Sequence, residues 1–226
     1  MIDTLFFDGD NTLWNFDQVM RRSLHATLVK LREHRSAAES LTVDDLIADR
    51  QAVAAELNGT ELNLERLRLA AFQRTLARLG PSDPPLAAEL NAFYLDRRFA
   101  DIELYPDTLP VLRALGTTYT IGLLSNGNSY PDKAGLEDLF DVVLFSQDLG
   151  VAKPDPAAYQ LAAEKVDRPP SAIAMIGDSL PNDVTGPRAA GWTGIWLNRD
   201  GFPCPAGHAP DAVLGTLHEL PGVLRS

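Results

Sequence analysis

Two carboxylates bracket a glycine near the start of this chain, Asp8-Gly9-Asp10, and Asn11-Thr12-Leu13 follow. They end a short apolar run, Ile2-Asp3-Thr4-Leu5-Phe6-Phe7, that reads as a buried strand. Side chains alternate along an extended chain, so Asp8 and Asp10 can project the same way. Two carboxylates so placed repel each other and lose solvation unless positive charge lies between them. A hard divalent cation such as Mg²⁺ supplies it, because it takes oxygen ligands. The same residues also suit a plain turn, for which Asp, Gly and Asn are ordinary choices. Three further polar groups recur along the chain. They are Ser125-Asn126-Gly127, then Ser146-Gln147-Asp148 with Lys153-Pro154, then Gly177-Asp178-Ser179 with Asn182-Asp183.

The elements around these groups decide whether they can meet. From Tyr105-Pro106-Asp107 onward, apolar strands alternate with helical patterns. Strands are expected at 119–125, 141–146, 172–177, 192–197 and 212–214. Helices are expected near 109–115, 131–139, 155–166 and 184–190, with a short one at the end. This alternation implies an α/β fold, a doubly wound, Rossmann-like parallel sheet covered on both faces. Ligands of such sheets bind outside the carboxyl ends of the strands. Each polar group falls just past such an end, so all four are expected to share one crevice.

Between the first strand and this region the pattern is helical throughout. Phe16, Val19, Met20, Leu24, Leu28 and Leu31 recur every three to four residues. Thr42 and Asp45 form a capping box before a second helix. A third helix is expected from about Leu62 to Leu79, ended by Gly80-Pro81, and a fourth from about Leu86 to Phe99. The expected organisation is therefore a core of residues 1–14 and 100–226 with an inserted all-helical cap subdomain, 15–99.

Composition narrows the function classes. The formal charge of −11 argues against nucleic acid as partner. Residues 15–99 are neutral, with 12 acids and 12 bases, so the acidity belongs to the rest of the chain. No apolar run approaches the ~20 residues that a membrane span needs, and no signal peptide is evident. The single cysteine, Cys204, fits a reducing, cytoplasmic setting. Oligomeric state is not legible.

The inventory is Asp8, Asp10, Asp178 and Asp183, one lysine, Lys153, and a hydroxyl and amide pair, Ser125 and Asn126. An ionised aspartate can attack phosphorus, and a second carboxyl group can protonate the leaving oxygen and later activate water. Lys153 can hold Asp8 ionised, and Ser125 can donate to phosphoryl oxygens. Each segment also has a plainer reading: Lys153-Pro154-Asp155-Pro156 as a turn with Asp155 as N-cap, and Ser125-Asn126-Gly127 as a turn. Their joint occurrence, in order and at strand ends, is what the plain readings leave unexplained.

Taken together, Asp8-Gly9-Asp10-Asn11-Thr12, Ser125-Asn126, Lys153-Pro154, and Gly177-Asp178 with Asn182-Asp183 resemble the four motifs of the haloacid dehalogenase superfamily. The branch is that with a helical cap inserted after the first strand. The resemblance implies Asp8 as nucleophile, Asp10 as general acid/base and Lys153 as partner of phosphate and Asp8. It implies that Thr12 steadies the loop on the phosphate-binding side and that Ser125 and Asn126 bind phosphate. Asp8, the Asp10 backbone carbonyl and Asp178 would ligate Mg²⁺, with Asp183 behind them or acting through water.

Two positions depart from the pattern. Asn11 stands where many relatives have glycine, and Pro187 falls where a helix usually continues. Within the superfamily, dehalogenases lack the second aspartate, so Asp10 favours a phosphatase acting on a small phosphorylated molecule. A phosphonate hydrolase would need a cap lysine, for which Lys30 is the one candidate. A phosphomutase and a non-catalytic binding protein on the same fold also stay open. Substrate choice is expected in the cap, where Trp14 and Phe16 could stack on a base or sugar or serve as hinge packing.

Overall fold

The computed structural model describes residues 1–57 and 60–224. The chain divides into two compact units, Met1–Asn15 with Glu103–Ser226, and Phe16–Ile102. The second boundary lies past residue 99, since the last helix of the second unit continues to Ala100.

The first unit is built on a six-stranded sheet. Its strands are β1 (Thr4–Phe7), β2 (Thr120–Ser125), β3 (Val142–Phe145), β4 (Ile173–Gly177), β5 (Thr193–Leu197) and β6 (Ala212–Leu214). Their order is β3-β2-β1-β4-β5-β6 and every pairing is parallel. β1 is therefore central, with β2 and β4 on either side. All four residues of β1 are buried, as expected of a strand covered on both faces. On one face Phe6 stacks on Trp192 with ring centroids 5.3 Å apart, and Tyr159 meets Trp192 edge-on at 5.6 Å.

Three expectations for this unit need correction. Residues 131–139 form two 3₁₀ turns, Pro131–Ala134 and Glu137–Leu139, not one helix, because Gly135 between them takes φ +67°. Ser146 ends no strand but opens a four-residue helix, Ser146–Leu149. The helix expected at 184–190 is a π-type turn, Leu180–Thr185, leading into a short helix, Gly186–Ala189. Pro187 lies in the first turn of that short helix, where its missing N–H costs nothing.

The second unit consists of α1 (Phe16–His34), α2 (Val43–Leu57), α3 (Leu64–Leu79) and α4 (Pro84–Ala100), with an additional 3₁₀ turn at Ser36–Ser40. Three of these helices start on side-chain caps. Thr42 and Asp45 accept and donate reciprocally, Asn63 accepts from the Arg66 N–H, and Asp83 accepts from the Leu86 N–H. Two apolar clusters hold the unit together; the larger includes Leu24, Leu28 and Leu31 of α1, Phe72 and Leu76 of α3, and Leu90 and Tyr94 of α4, and the smaller joins Val53 of α2 to Leu67 and Ala71 of α3.

Back in the first unit, a part-buried ion pair ties three segments together near the end of β1. Arg199 donates to both oxygens of Asp107 at 2.9 Å and to the Thr12 carbonyl at 2.8 Å. Asp107 also accepts from the Thr216 hydroxyl at 2.6 Å and the Leu217 N–H at 2.8 Å. Burial pushes the Asp107 carboxyl up, but these hydrogen bonds and the Arg199 charge outweigh it and hold it at about 2.

Two outcomes follow. Phe72→Ala is expected to destabilise by about 3–5 kcal/mol in urea unfolding, the usual cost of an emptied aromatic core site; Val29→Ala, at an exposed position of α1, should cost under about 0.5 kcal/mol. For Asp107 the folded value lies below the ordinary 3.8, so its contribution is full above that pH and is lost as pH falls toward about 2. Wild-type stability should therefore drop more steeply across that window than that of Asp107→Asn, and parallel curves would contradict the assignment.

Candidate active site

The end of β1 turns sharply and is pinned on several sides. The Asp8 N–H donates to the Ile176 carbonyl of β4 at 2.9 Å. The Gly9 carbonyl accepts from the Thr12 and Leu13 N–H groups at 3.2 and 2.8 Å. Asn11 takes φ +61°, a conformation that asparagine tolerates almost as well as glycine, which explains the departure noted there. Thr12 is fully buried, and its hydroxyl accepts from the Asp178 N–H at 3.1 Å. The β1 and β4 loops are thus joined by one side chain.

Lys153 lies at the centre. Its Nζ donates to Asp8 Oδ1 at 2.8 Å and to Asp183 Oδ1 at 2.7 Å, and all three side chains are buried. Asp183 Oδ2 accepts from the Ser179 N–H at 3.0 Å, so both of its oxygens are used. A Cβ at Gly177 would collide with the Asp183 carboxylate, so only glycine lets it come this close. Among the described residues, one oxygen each from Asp8, Asp178 and Asp183 lies within 4.8 Å of the others.

The charges of this cluster do not balance. Three carboxylates face one ammonium, which leaves two negative charges. Burial pushes the Asp8 carboxyl well up; Lys153 opposes this, and Asp183 and Asp178 add to it. Burial likewise lifts Asp178 to about 6, with Asp183 adding to the effect. Burial acts to lower Lys153, but Asp183 and Asp8 outweigh it and keep the amine charged. The donors that remain are oxygens, and the missing charge is two positive units. That donor set and that charge fit a hard divalent cation such as Mg²⁺.

Asp10 stands apart from this cluster. Its Oδ1 accepts from Trp14 Nε1 at 2.7 Å and from Ser129 Oγ at 2.9 Å. Trp14 is 2% exposed, so its ring does not offer a stacking face within this unit and serves to hold Asp10. A Cβ at Gly127 would press on Asp10 Oδ2, so glycine keeps space beside that oxygen. Two carboxylates two residues apart therefore sit in different surroundings, one beside a lysine and two acids, the other with Trp14 and Ser129 among its donors.

The remaining expected residues are found as follows. Ser125 is buried, and its hydroxyl accepts from the Gly127 N–H at 3.0 Å, a local turn contact that is compatible with donation to a ligand. The Asn126 side chain holds the backbone of Lys153 through its amide. Its Nδ2 donates to the Lys153 carbonyl at 2.7 Å and its Oδ1 accepts from the Lys153 N–H at 2.9 Å. The amide therefore fixes the backbone that carries the lysine. Asp155 caps the next helix by accepting from the Ala157 N–H at 2.9 Å, so the turn reading of this segment holds, and the same turn leaves Lys153 in the acidic cluster. The Trp14 and Ser129 contacts to Asp10 and the Arg199–Asp107 pair were not foreseen. Arg199 lies two residues past the end of β5, where the strand-end rule could have found it.

Comparison with known proteins agrees with this geometry. Residues 2–191 match the family of haloacid dehalogenase-like hydrolases. The pyrimidine 5′-nucleotidase YjjG of Escherichia coli (strain K12) is 29% identical over 98% of this chain and 97% of its own. A phosphoserine phosphatase of Thermus thermophilus is 34% identical over 68% of this chain and 63% of its own. The crystal structure of a 2-haloacid dehalogenase from Pseudomonas syringae pv. Tomato DC3000 superposes with a TM-score of 0.85 at 30% identity, covering 100% of this chain and 99% of that one. With its sheet order, its strand-end residues and these relatives in agreement, the chain belongs to the haloacid dehalogenase-like hydrolases.

Proposed function

We propose that this hydrolase is a Mg²⁺-dependent phosphomonoesterase that acts on a small phosphorylated molecule through an aspartyl-phosphate on Asp8. The observation that carries the reading is the contrast between Asp8 and Asp10: Asp8 lies against Lys153 and two acids, Asp10 against Trp14 and Ser129. Carboxylates in different surroundings can take different roles in one reaction.

In the first step Asp8 attacks phosphorus, and the bond from phosphorus to the ester oxygen breaks. Asp10, as the acid, gives its proton to that leaving oxygen. In the second step Asp10, now a carboxylate, takes a proton from water, and the water oxygen attacks the phosphorus. The bond to Asp8 breaks, releasing inorganic phosphate and restoring both carboxyl groups. Ser125 would donate to phosphoryl oxygens, and Lys153 would pair with them while holding Asp8 in place. Asn126 would act on this chemistry through the position of Lys153, and Thr12 through the position of Asp178. Mg²⁺, held by Asp8, Asp178 and the Asp10 backbone carbonyl with Asp183 behind them, would neutralise charge on the phosphoryl group.

The similarity to a haloacid dehalogenase makes dehalogenation the competing reading. A departing halide needs no proton, so a second carboxyl group held by two donors is unexplained by that chemistry. Phosphonate hydrolysis through a lysine imine is disfavoured because Lys30 is engaged, with Nζ 2.8 Å from Glu89 and over the Phe93 ring at 4.9 Å. A mutase would use the same residues, and no feature of the site favours it. A purely binding role leaves the Asp8, Asp10 and Lys153 arrangement without a purpose.

Hydrolysis of an aryl phosphate should require Mg²⁺ and should fall by more than about 10³-fold in Asp8→Asn and on chelation with EDTA. The same preparation should release no halide from 2-chloropropionate; halide release without phosphate release would favour the competing reading. Trp14→Phe keeps the packing but removes a hydrogen bond to a carboxyl group that becomes ionised as it gives up its proton, worth about 1.5–3 kcal/mol to the ionised form. We expect kcat to fall by about 10- to 100-fold with KM little changed, and an unchanged kcat would remove Trp14 from the account.

A further inference from the structure

Asp178 follows directly on β4, whose last residue is Gly177. Two side chains hold its backbone, one on each side. The Thr12 hydroxyl accepts from its N–H at 3.1 Å, and Trp196 Nε1 donates to its carbonyl at 2.9 Å. Trp196 lies on β5, in register with Gly177 of β4, and is 6% exposed.

The same indole packs against the turn that follows. Trp196 forms one apolar cluster with Leu180 and Val184, both of the π-type turn Leu180–Thr185. Asp183 directly precedes Val184 in that turn, so one ring meets both the Asp178 backbone and the segment that carries Asp183. Two glycines let the turn settle on the strands. A Cβ at Gly194 of β5 would press on the Val184 backbone, and one at Gly177 of β4 would collide with the Asp183 carboxylate. The position of the turn therefore follows that of β4, β5 and the indole lying on β5.

A buried indole needs an acceptor for its N–H, and a plain fold contact would meet that need. It would not account for the acceptor that is used. The carbonyl belongs to the residue whose carboxylate joins the acidic cluster, and the ring supports the turn that brings a second acid of that cluster. Phenylalanine would fill the same space without holding the carbonyl. Groups that orient ligating carboxylates govern metal affinity along with the ligands themselves. We propose that Trp196 is a positioning residue that sets the affinity of the acidic cluster for Mg²⁺, by holding the Asp178 backbone and the Asp183 turn. The proposal rests on the reading of that cluster as a Mg²⁺ site. Trp196 acts through Asp178 and Asp183, not on the substrate.

The test is Trp196→Phe, which keeps a ring and removes the donor. Mg²⁺ is titrated calorimetrically into the full-length, metal-free proteins, at a temperature where both give the same circular dichroism. The variant should bind Mg²⁺ about 10- to 100-fold more weakly, the usual effect of losing a partner that orients a ligand. A second measurement uses the wild type alone. In ¹H–¹⁵N NMR spectra the Trp196 indole N–H resonance should follow added Mg²⁺ along a saturating curve with the calorimetric midpoint. That of Trp192, stacked on Phe6, should move less. Equal Mg²⁺ affinities in wild type and variant overturn the proposal while leaving the metal site intact. A Trp196 resonance that ignores bound Mg²⁺ also overturns it, whether or not the variant folds. A wild type that binds no Mg²⁺ overturns the reading of the cluster itself, and this proposal with it.

Discussion

Two negative charges left over at the end of the central strand are the constraint on which the active site depends. Asp8, Asp178 and Asp183 converge with Lys153 as their one internal cation. In a buried setting this imbalance is costly, and it appears as carboxyl groups pushed toward their neutral forms. The sheet makes the convergence unavoidable. β1 lies between β2 and β4, so the residues after all three strands emerge side by side. The acids are adjacent because parallel strands run in register, and they are tolerable only because charge of opposite sign can be brought to them.

The hydrogen bonds around the cluster hold loops through backbone atoms more than through the reacting groups. Asn126 grips the Lys153 backbone from both sides, Thr12 accepts from the Asp178 N–H, and Arg199 reaches the Thr12 carbonyl from its pair with Asp107. Asn126 and Arg199 fix peptides while leaving the reactive side chains available, and the Thr12 hydroxyl also donates to Asp178 Oδ1 at 3.4 Å. This suits a site in which carboxylates and an ammonium must be preorganised without being consumed. Asp10 is the exception, because its side chain itself is held, by Trp14 and Ser129. In the proposed reaction Asp10 hands a proton to a leaving oxygen and takes one back, which calls for a fixed direction.

Much of this was legible in the chain. Strand-end carboxylates, the lysine and the helical insertion follow from apolar periodicity and from the rule that parallel sheets bind at their carboxyl ends. The Thr42 and Asp45 capping box and the Asp155 cap were visible because capping is local chemistry. What the chain concealed was long-range pairing. Nothing near Asn126 says that its amide will seek a peptide 27 positions on, or that Trp14 will turn inward to Asp10. The 131–139 segment misled because its composition suits a helix, while Gly135 breaks it into two turns. Residues 15–99 hold acids and bases in equal number. Equal number does not mean paired: Asp49 takes Arg78 with Arg74 nearby, and Arg50 and Arg68 remain.

The claim that the carboxylate cluster is built for a divalent cation is tested most directly by calorimetric titration of Mg²⁺ into metal-free protein at pH 6, in two buffers that differ in ionisation enthalpy. The account predicts one Mg²⁺ per chain with release of protons, because Asp178, at about 6, is partly protonated before the metal arrives. It also predicts that Asp178→Asn weakens the binding strongly. Absence of binding, or binding that neither releases protons nor depends on Asp178, would contradict it.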